Sequence, residues 1–173
     1  MKFAHFSHVC AKPGMTPHER YEQLWRELSL CDQVGFDYAF CVEHHFRPDE
    51  SWMSSPSLYA VGAGARTKRL RIGPMGYIVP LYHPLRLAEE IAIVDQMLGG
   101  RLELGLVPGI NPDYFRPFGL DYAERKSPTL ESSATCAQPS ATNSHSRSTA
   151  KPFTLIPPSL RCRRCNGRIR RSG

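Results

Sequence analysis

No run in this 173-residue sequence approaches the ~18 consecutive apolar residues that a membrane-spanning helix takes. The opening MKFAHFSHVCAKPG also has too short an apolar run for a secretory leader. A cytoplasmic protein without a membrane partner is expected. Neither GxGxxG nor a P-loop is present, so the common phosphate-cradling turns are excluded. HExxH and His-x-His are missing, and no serine occupies a nucleophile elbow, which leaves Ser-His-Asp chemistry without an anchor. The six cysteines show no framework spacing. Cys10, Cys31 and Cys41 lie in apolar surroundings and read as reduced core residues. The remaining three are Cys136, Cys162 and Cys165. The CxxC of CRRCNGRIRR lacks a second ligand pair and His145 is distant, so a zinc knuckle is excluded and no metal is expected.

Acidic residues are scarce in one part of the chain only. Residues 126–173 hold 9 Lys/Arg against the single acid Glu131, whereas residues 1–125 hold 13 Lys/Arg and 15 Asp/Glu. The net charge of +6 therefore belongs to the tail, and the body is near-neutral. The tail also carries nine serines, five threonines and five prolines with no clear apolar period. Two regions follow: an ordered body, 1–125, and a low-complexity basic tail, 126–173, expected to be disordered. Polyanion binding by the tail would be weak, and no specific nucleic-acid partner is expected.

The body alternates strands and helices. Lys2–Val9 reads as a strand. Thr16-Pro17-His18-Glu19 combines an N-cap, a proline at the first helical position and a capping-box glutamate. Tyr21, Leu24, Trp25, Leu28 and Cys31 continue at helical spacing until Gly35. Asp37–Val42 is a second strand, and Ser55-Pro56 opens a helix to about Arg66. Leu70–Met75 is a third strand, and Pro84 opens a helix closed by Gly99-Gly100. Leu102–Val107 is a fourth strand. Such alternation predicts βαβ units and a parallel α/β sheet. Periodicity does not choose between a doubly wound sheet and a barrel.

The second strand runs into Glu43-His44-His45-Phe46, at the strand end where α/β folds build sites. Three readings compete for these residues. Metal ligation is disfavoured because neighbours in extended chain point to opposite faces. Polar loop histidines without chemistry are the second reading. A general acid/base or hydrogen-bond donor in a cleft is the third, suited to a group that titrates near neutrality. Gly73-Pro74-Met75-Gly76-Tyr77 permits close approach of a flat ligand at the third strand end. Val107-Pro108-Gly109 again puts small residues at the fourth.

EHHF, then RTKRLRIGPMGYIVPLYHPLRLAEEIAIVDQMLGGRLELGLVPG, then DYFRPFG, in that order and separation, resembles the bacterial luciferase-like flavin monooxygenases over about residues 1–125. The resemblance implies a TIM (β/α)8 barrel that uses reduced FMN and O2, or in some relatives the deazaflavin F420, to oxidise an aldehyde or another small organic substrate. It further implies a flavin reductase as supplier of the reduced cofactor and a dimer for the intact family member. By residue, His44 and His45 are the expected catalytic residues, His44 matching the family's catalytic histidine and His45 flanking it. Glu43, Met75, Gly76 and Val107 fall at cofactor-binding positions, with Met75-Gly76 aligned to a non-prolyl cis peptide under the flavin ring. Luciferase itself has a phosphate-binding arginine where this chain has Pro108, so a general monooxygenase or oxidoreductase is implied rather than a light emitter.

A complete member is roughly twice this length, as an eight-stranded barrel of about 250 residues or more requires. Only four βα units fit before residue 125. Out-of-frame reading of codons 160–171 permits the proline-rich string that the family shows before its fifth strand, which suggests a frameshift near residues 125–130. The expectation is thus a barrel truncated to four βα units, impaired as an enzyme. The rival is a non-catalytic remnant or small binding protein whose basic tail does the work.

Overall fold

The computed structural model describes residues 1–10 and 12–126. The expected tail therefore lies outside the described residues, apart from Lys126. Three parallel strands, β1 (Ala4–Ser7), β2 (Tyr38–Cys41) and β3 (Arg71–Pro74), pair in the order β1-β2-β3. The register runs Phe6↔Phe40 and Phe40↔Gly73. Two short strands, β4 (Tyr77–Ile78) and β5 (Leu106–Val107), form a second parallel pair. Helices α1 (Pro17–Val34), α2 (Pro56–Gly64) and α3 (Pro84–Met97) connect them.

The capping box at Thr16 forms as its sequence dictates. The Thr16 hydroxyl accepts from the Glu19 N–H, and Glu19 reaches back to the Thr16 N–H. Gly35 closes α1 at φ 94°, a left-handed turn that a side chain would oppose. Leu24 and Leu28 on α1, Tyr59 and Ala63 on α2, and Leu87 and Ile91 on α3 cover one face of the sheet, where Ala39, Cys41 and Ile72 are buried. The apolar spacing that predicts each helix is the spacing that buries it. The opposite face carries Phe6, Tyr38, Phe40 and Arg71 by strand alternation. Phe6 there is 49% exposed, and among the described residues the strands do not close into a barrel.

The two continuous strands expected over 70–75 and 102–107 are instead broken. The third line turns at Met75, whose N–H donates to the Cys41 carbonyl, and resumes as β4. The fourth touches β3 through the Ile72↔Leu102 bridge and then pairs with β4 as β5. Close backbone approach explains the break. A Cβ on Gly73 would lie 1.7 Å from the Glu103 carbonyl oxygen, and one on Gly76 2.7 Å from the Gly105 carbonyl carbon. The first strand is also shorter than expected. Asp37 takes the Lys2 ammonium and the Phe3 N–H at its entry, and Val9 turns to φ 54° at its exit. Cys10 departs from its expected core position: its Sγ contacts the Glu50 carbonyl on the surface, whereas Cys41 is buried and Cys31 half-buried.

Asp32 near the end of α1 accepts the backbone N–H groups of Lys68, Arg69 and Leu70 and so fixes the entry to β3. Burial acts to raise its pKa, but these three donors, led by Lys68, outweigh it and hold the carboxyl below its ordinary value. A depressed folded pKa contributes stability that is complete above the unfolded value of about 3.9 and is lost as pH falls through the folded value. Asp32→Asn is therefore expected to lower the urea midpoint at pH 7 and to flatten its decline at acid pH. Parallel midpoint-versus-pH curves for the two proteins would refute this role.

Candidate active site

The chain leaves β2 at Cys41 and enters the loop that carries Glu43, His44 and His45. Successive side chains diverge there, as extended backbone requires. Glu43 turns inward, and its side chain is fully buried. Its Oε2 accepts the Ile78 N–H at 2.7 Å, while its Oε1 accepts the Tyr82 hydroxyl at 2.9 Å and contacts His45 Nε2 at 2.8 Å. All these contacts are internal, so this carboxylate ties the β2 exit to β4 and to the turn before α3. Burial, then the Glu43 charge, pushes the Tyr82 hydroxyl well above its ordinary pKa, which keeps it a donor. His45 is 12% exposed at its side chain and packs edge-on to Tyr114 and Phe118.

His44 faces the other way. Its N–H donates to the Met53 carbonyl, and its ring lies 5.4 Å from the His8 ring and 5.6 Å from Tyr114. Nδ1 is buried and makes no hydrogen bond; Glu50 Oε2 stands 3.3 Å away, a charge contact without hydrogen-bond alignment. The side chain is 19% exposed, so the accessible part of the ring lies away from Nδ1. Burial lowers the His44 pKa, with Glu50 opposing and His8, His45 and Arg47 adding to the fall. A neutral imidazole able to take a proton at neutral pH results.

The other sequence-predicted positions reach the same end of the sheet. Met75 follows β3 directly and is half-buried, and its N–H is bonded to the last residue of β2. Gly76 is buried against the Gly105 backbone. Val107 ends β5, half-buried and in register with Ile78, the residue whose N–H Glu43 holds. Every described peptide is trans. Met75-Gly76 is thus trans where the resemblance implies a cis bond; trans is the default by about 3–4 kcal/mol outside proline. Among these positions Met75 and Val107 are the partly exposed ones that a flat ring could meet, while Gly76 is buried where it lets the Gly105 backbone approach. Pro108 supplies neither an N–H nor a charge for a phosphate. A separate cavity of about 390 Å³ lies at the opposite end of the sheet, lined by Lys2, Asp37, Arg69 and Arg71 among others. We place the site at the carboxyl strand ends, where parallel α/β architectures gather their functional loops.

Several site residues escape a reading of the sequence. Glu50, Tyr82 and Tyr114 sit in turns without a motif of their own. Only the DYFRPFG run hints that Tyr114 belongs near the EHHF loop. Phe46 and Val9, both with positive φ, bracket the histidines. Such backbone is costly for a bulky or β-branched residue and concentrates at functional loops. Among the described residues, no group of three His, Cys, Asp or Glu side chains gathers as a metal site would need.

Comparison with known proteins places these features in context. A family model described as luciferase-like monooxygenase matches residues 1–146. The alkanal monooxygenase alpha chain of Aliivibrio fischeri is 34% identical over 131 residues, covering 75% of this chain and 36% of the relative. An uncharacterized protein of Sinorhizobium fredii is 36% identical over 121 residues, covering 70% of this chain and 35% of its own length. The chain thus spans about a third of the length of the curated relatives it matches. Among solved structures, the oxygenating constituent of 3,6-diketocamphane monooxygenase from Pseudomonas putida, a type II Baeyer-Villiger enzyme in complex with FMN, aligns with TM-score 0.73 at 26% identity. The match covers 79% of this chain and 38% of that one.

Proposed function

This chain belongs to the luciferase-like monooxygenase family, and from that premise we propose that residues 1–125 carry the acid/base and ring-side half of a flavin-dependent monooxygenase site acting with reduced FMN and O2 on an aldehyde or another small organic substrate. The observation that carries this reading is His44: a partly buried imidazole with its Nδ1 turned inward, at the same carboxyl end of the parallel strands as Met75, Gly76 and Val107. In this proposal His44 is the catalytic base and acid, taking and returning a proton at the accessible nitrogen. His45 and Glu43 position it from beneath. Met75 and Val107 would line a bound isoalloxazine, with Gly76 allowing the backbone behind them to close up. Bound FMN would supply the two-electron chemistry and the activation of O2. The ribityl phosphate needs donors beyond these residues, since Pro108 offers none, so the chain by itself is expected to be at best a weak flavin binder.

The test extends residues 1–125 in frame into the remaining barrel of a luciferase-like relative. Cooperative unfolding certifies the fold, and anaerobic titration with FMN, FMNH2 and F420 measures binding. Micromolar FMN affinity and FMN-dependent oxidation of a long-chain aldehyde are the expected results. A folded extended protein that binds neither FMN nor FMNH2 would sink the proposal, and one selective for F420 would move it to the deazaflavin branch. Tight binding of a phosphate polyanion by the 173-residue chain, with no flavin affinity in either form, would favour the basic-tail binding protein instead.

A further inference from the structure

We propose that Glu50 is the positioning residue for His44, fixing which imidazole nitrogen carries the proton and which faces the cleft. The inference rests on the reading of His44 as acid and base, and adds to it a residue outside the EHHF motif. Glu50 is held from three parts of the chain at once. Its Oε2 accepts the Tyr114 hydroxyl at 2.8 Å, its Oε1 pairs with Arg47 Nη2 at 3.0 Å, and its carbonyl meets Cys10 Sγ at 2.6 Å. Arg47 is in turn forked on Asp49, with Nε and Nη2 at 3.1 and 2.9 Å from the two carboxylate oxygens. A carboxylate anchored in this way cannot follow the imidazole. Glu50 Oε2 stands 3.3 Å from Nδ1, close enough for its charge to act on that nitrogen without a formed hydrogen bond.

The consequence is a choice of tautomer. A neutral imidazole carries one proton, and a carboxylate beside Nδ1 favours Nδ1–H. The other nitrogen, Nε2, then keeps its lone pair for the cleft. When Nε2 takes a proton from a bound group, the imidazolium that forms lies next to a negative charge that does not move. The proton balance closes on His44 alone, with no oxidant or second base. Tyr114 serves the same end from the far side: burial first, then its bond to Glu50, pushes its hydroxyl up to about 12, so it remains a donor to Glu50. The charged and titratable groups facing His44 are Glu50 and Arg47 on its own loop, His45 next to it, His8 beyond β1, and Tyr114 from the turn after β5.

The test is a histidine NMR titration of the full chain, isotope-labelled at the imidazoles, which needs neither flavin nor turnover. In Glu50→Gln, His44 is expected to titrate at lower pH, because the one group that raises its pKa is removed while burial and the cationic neighbours remain. Its nitrogen shifts should also lose the Nδ1–H preference and report mixed tautomers. Glu50→Asp, which withdraws the carboxylate by one methylene, should give an intermediate shift of the same sign. This second variant decides the matter if Glu50→Gln does not fold. A folded variant with unchanged His44 pKa and tautomer overturns the proposal. If the titration moves as expected while His44→Ala in the extended protein keeps full turnover, the positioning geometry stands and the catalytic reading of His44 fails.

Discussion

Replacing His44 by alanine, in a protein whose residues 1–125 continue into a complete barrel, is expected to lower turnover by about 10²–10⁴-fold, the usual worth of a positioned acid/base, while FMN affinity stays within a few-fold. The split follows from where the ring sits. His44 lies at the strand ends packed on His8 and Tyr114, and in our proposal the ring-side surface is supplied by other residues, Met75 and Val107. Removing the imidazole takes away a proton acceptor without disturbing the surface that would hold a ring. Burial lowers the His44 pKa, so the base form should persist below neutrality, and the acid limb of the rate profile should fall at or below the pH of an ordinary histidine near 6.5. His44→Ala should abolish that limb. Stopped-flow single-turnover rates across pH, with FMN affinity measured in parallel, check both parts. Unchanged turnover would leave His44 a packing residue, and a parallel collapse of affinity would make it a binding residue.

Glu43→Ala should be the most damaging substitution for stability among the described residues of the site. The carboxylate is wholly inside the protein and satisfies three donors from two segments more than thirty residues away, the Ile78 N–H and the Tyr82 hydroxyl, together with His45 nearby. Alanine removes the acceptor of all three, and the Ile78 N–H is left inside the protein. Removing one member of a buried charged network typically costs about 3–5 kcal/mol, because each orphaned donor keeps its desolvation penalty. For a domain of this size that is a fall of roughly 6–20 °C in Tm. Glu43→Gln preserves the shape but places an amide N–H where a donor already points, so about 1–3 kcal/mol is expected. Differential scanning calorimetry of the extended protein gives the comparison. If Glu43→Ala and Glu43→Gln both unfold within 1–2 °C of the parent, the clamp is not a determinant of the fold.

The two substitutions separate residues that are adjacent in sequence. Both belong to EHHF, yet the His44 side chain is partly exposed and that of Glu43 is wholly buried. A run of conspicuous residues therefore does not share one role. Glu43, which the family resemblance places among the cofactor positions, reaches the site by holding the loop that bears His44. In our proposal it acts through position rather than contact.

The features written in the sequence are those whose hydrogen bonds close within a few residues. Thr16 and Glu19 cap each other across one turn, Gly35 ends α1 because only a left-handed residue can accept that turn, and leucines at helical spacing are the ones buried. The order of strands and helices and the strand-end place of His44 follow from the same local rules, while the family motifs are legible only as a resemblance. Contacts that cross the chain were not legible without coordinates. The Glu43 carboxylate meets Ile78 and Tyr82 at separations of 35 and 39 residues, and Tyr114 reaches Glu50 across 64. The break at Met75-Gly76 arises because the Gly105 backbone lies within contact of a site where no Cβ fits. Periodicity reports which face of an element is apolar, but not which distant donor a buried carboxylate will find. Packing decides that, since a charge inside the protein must take whatever partners the converging strands bring to it.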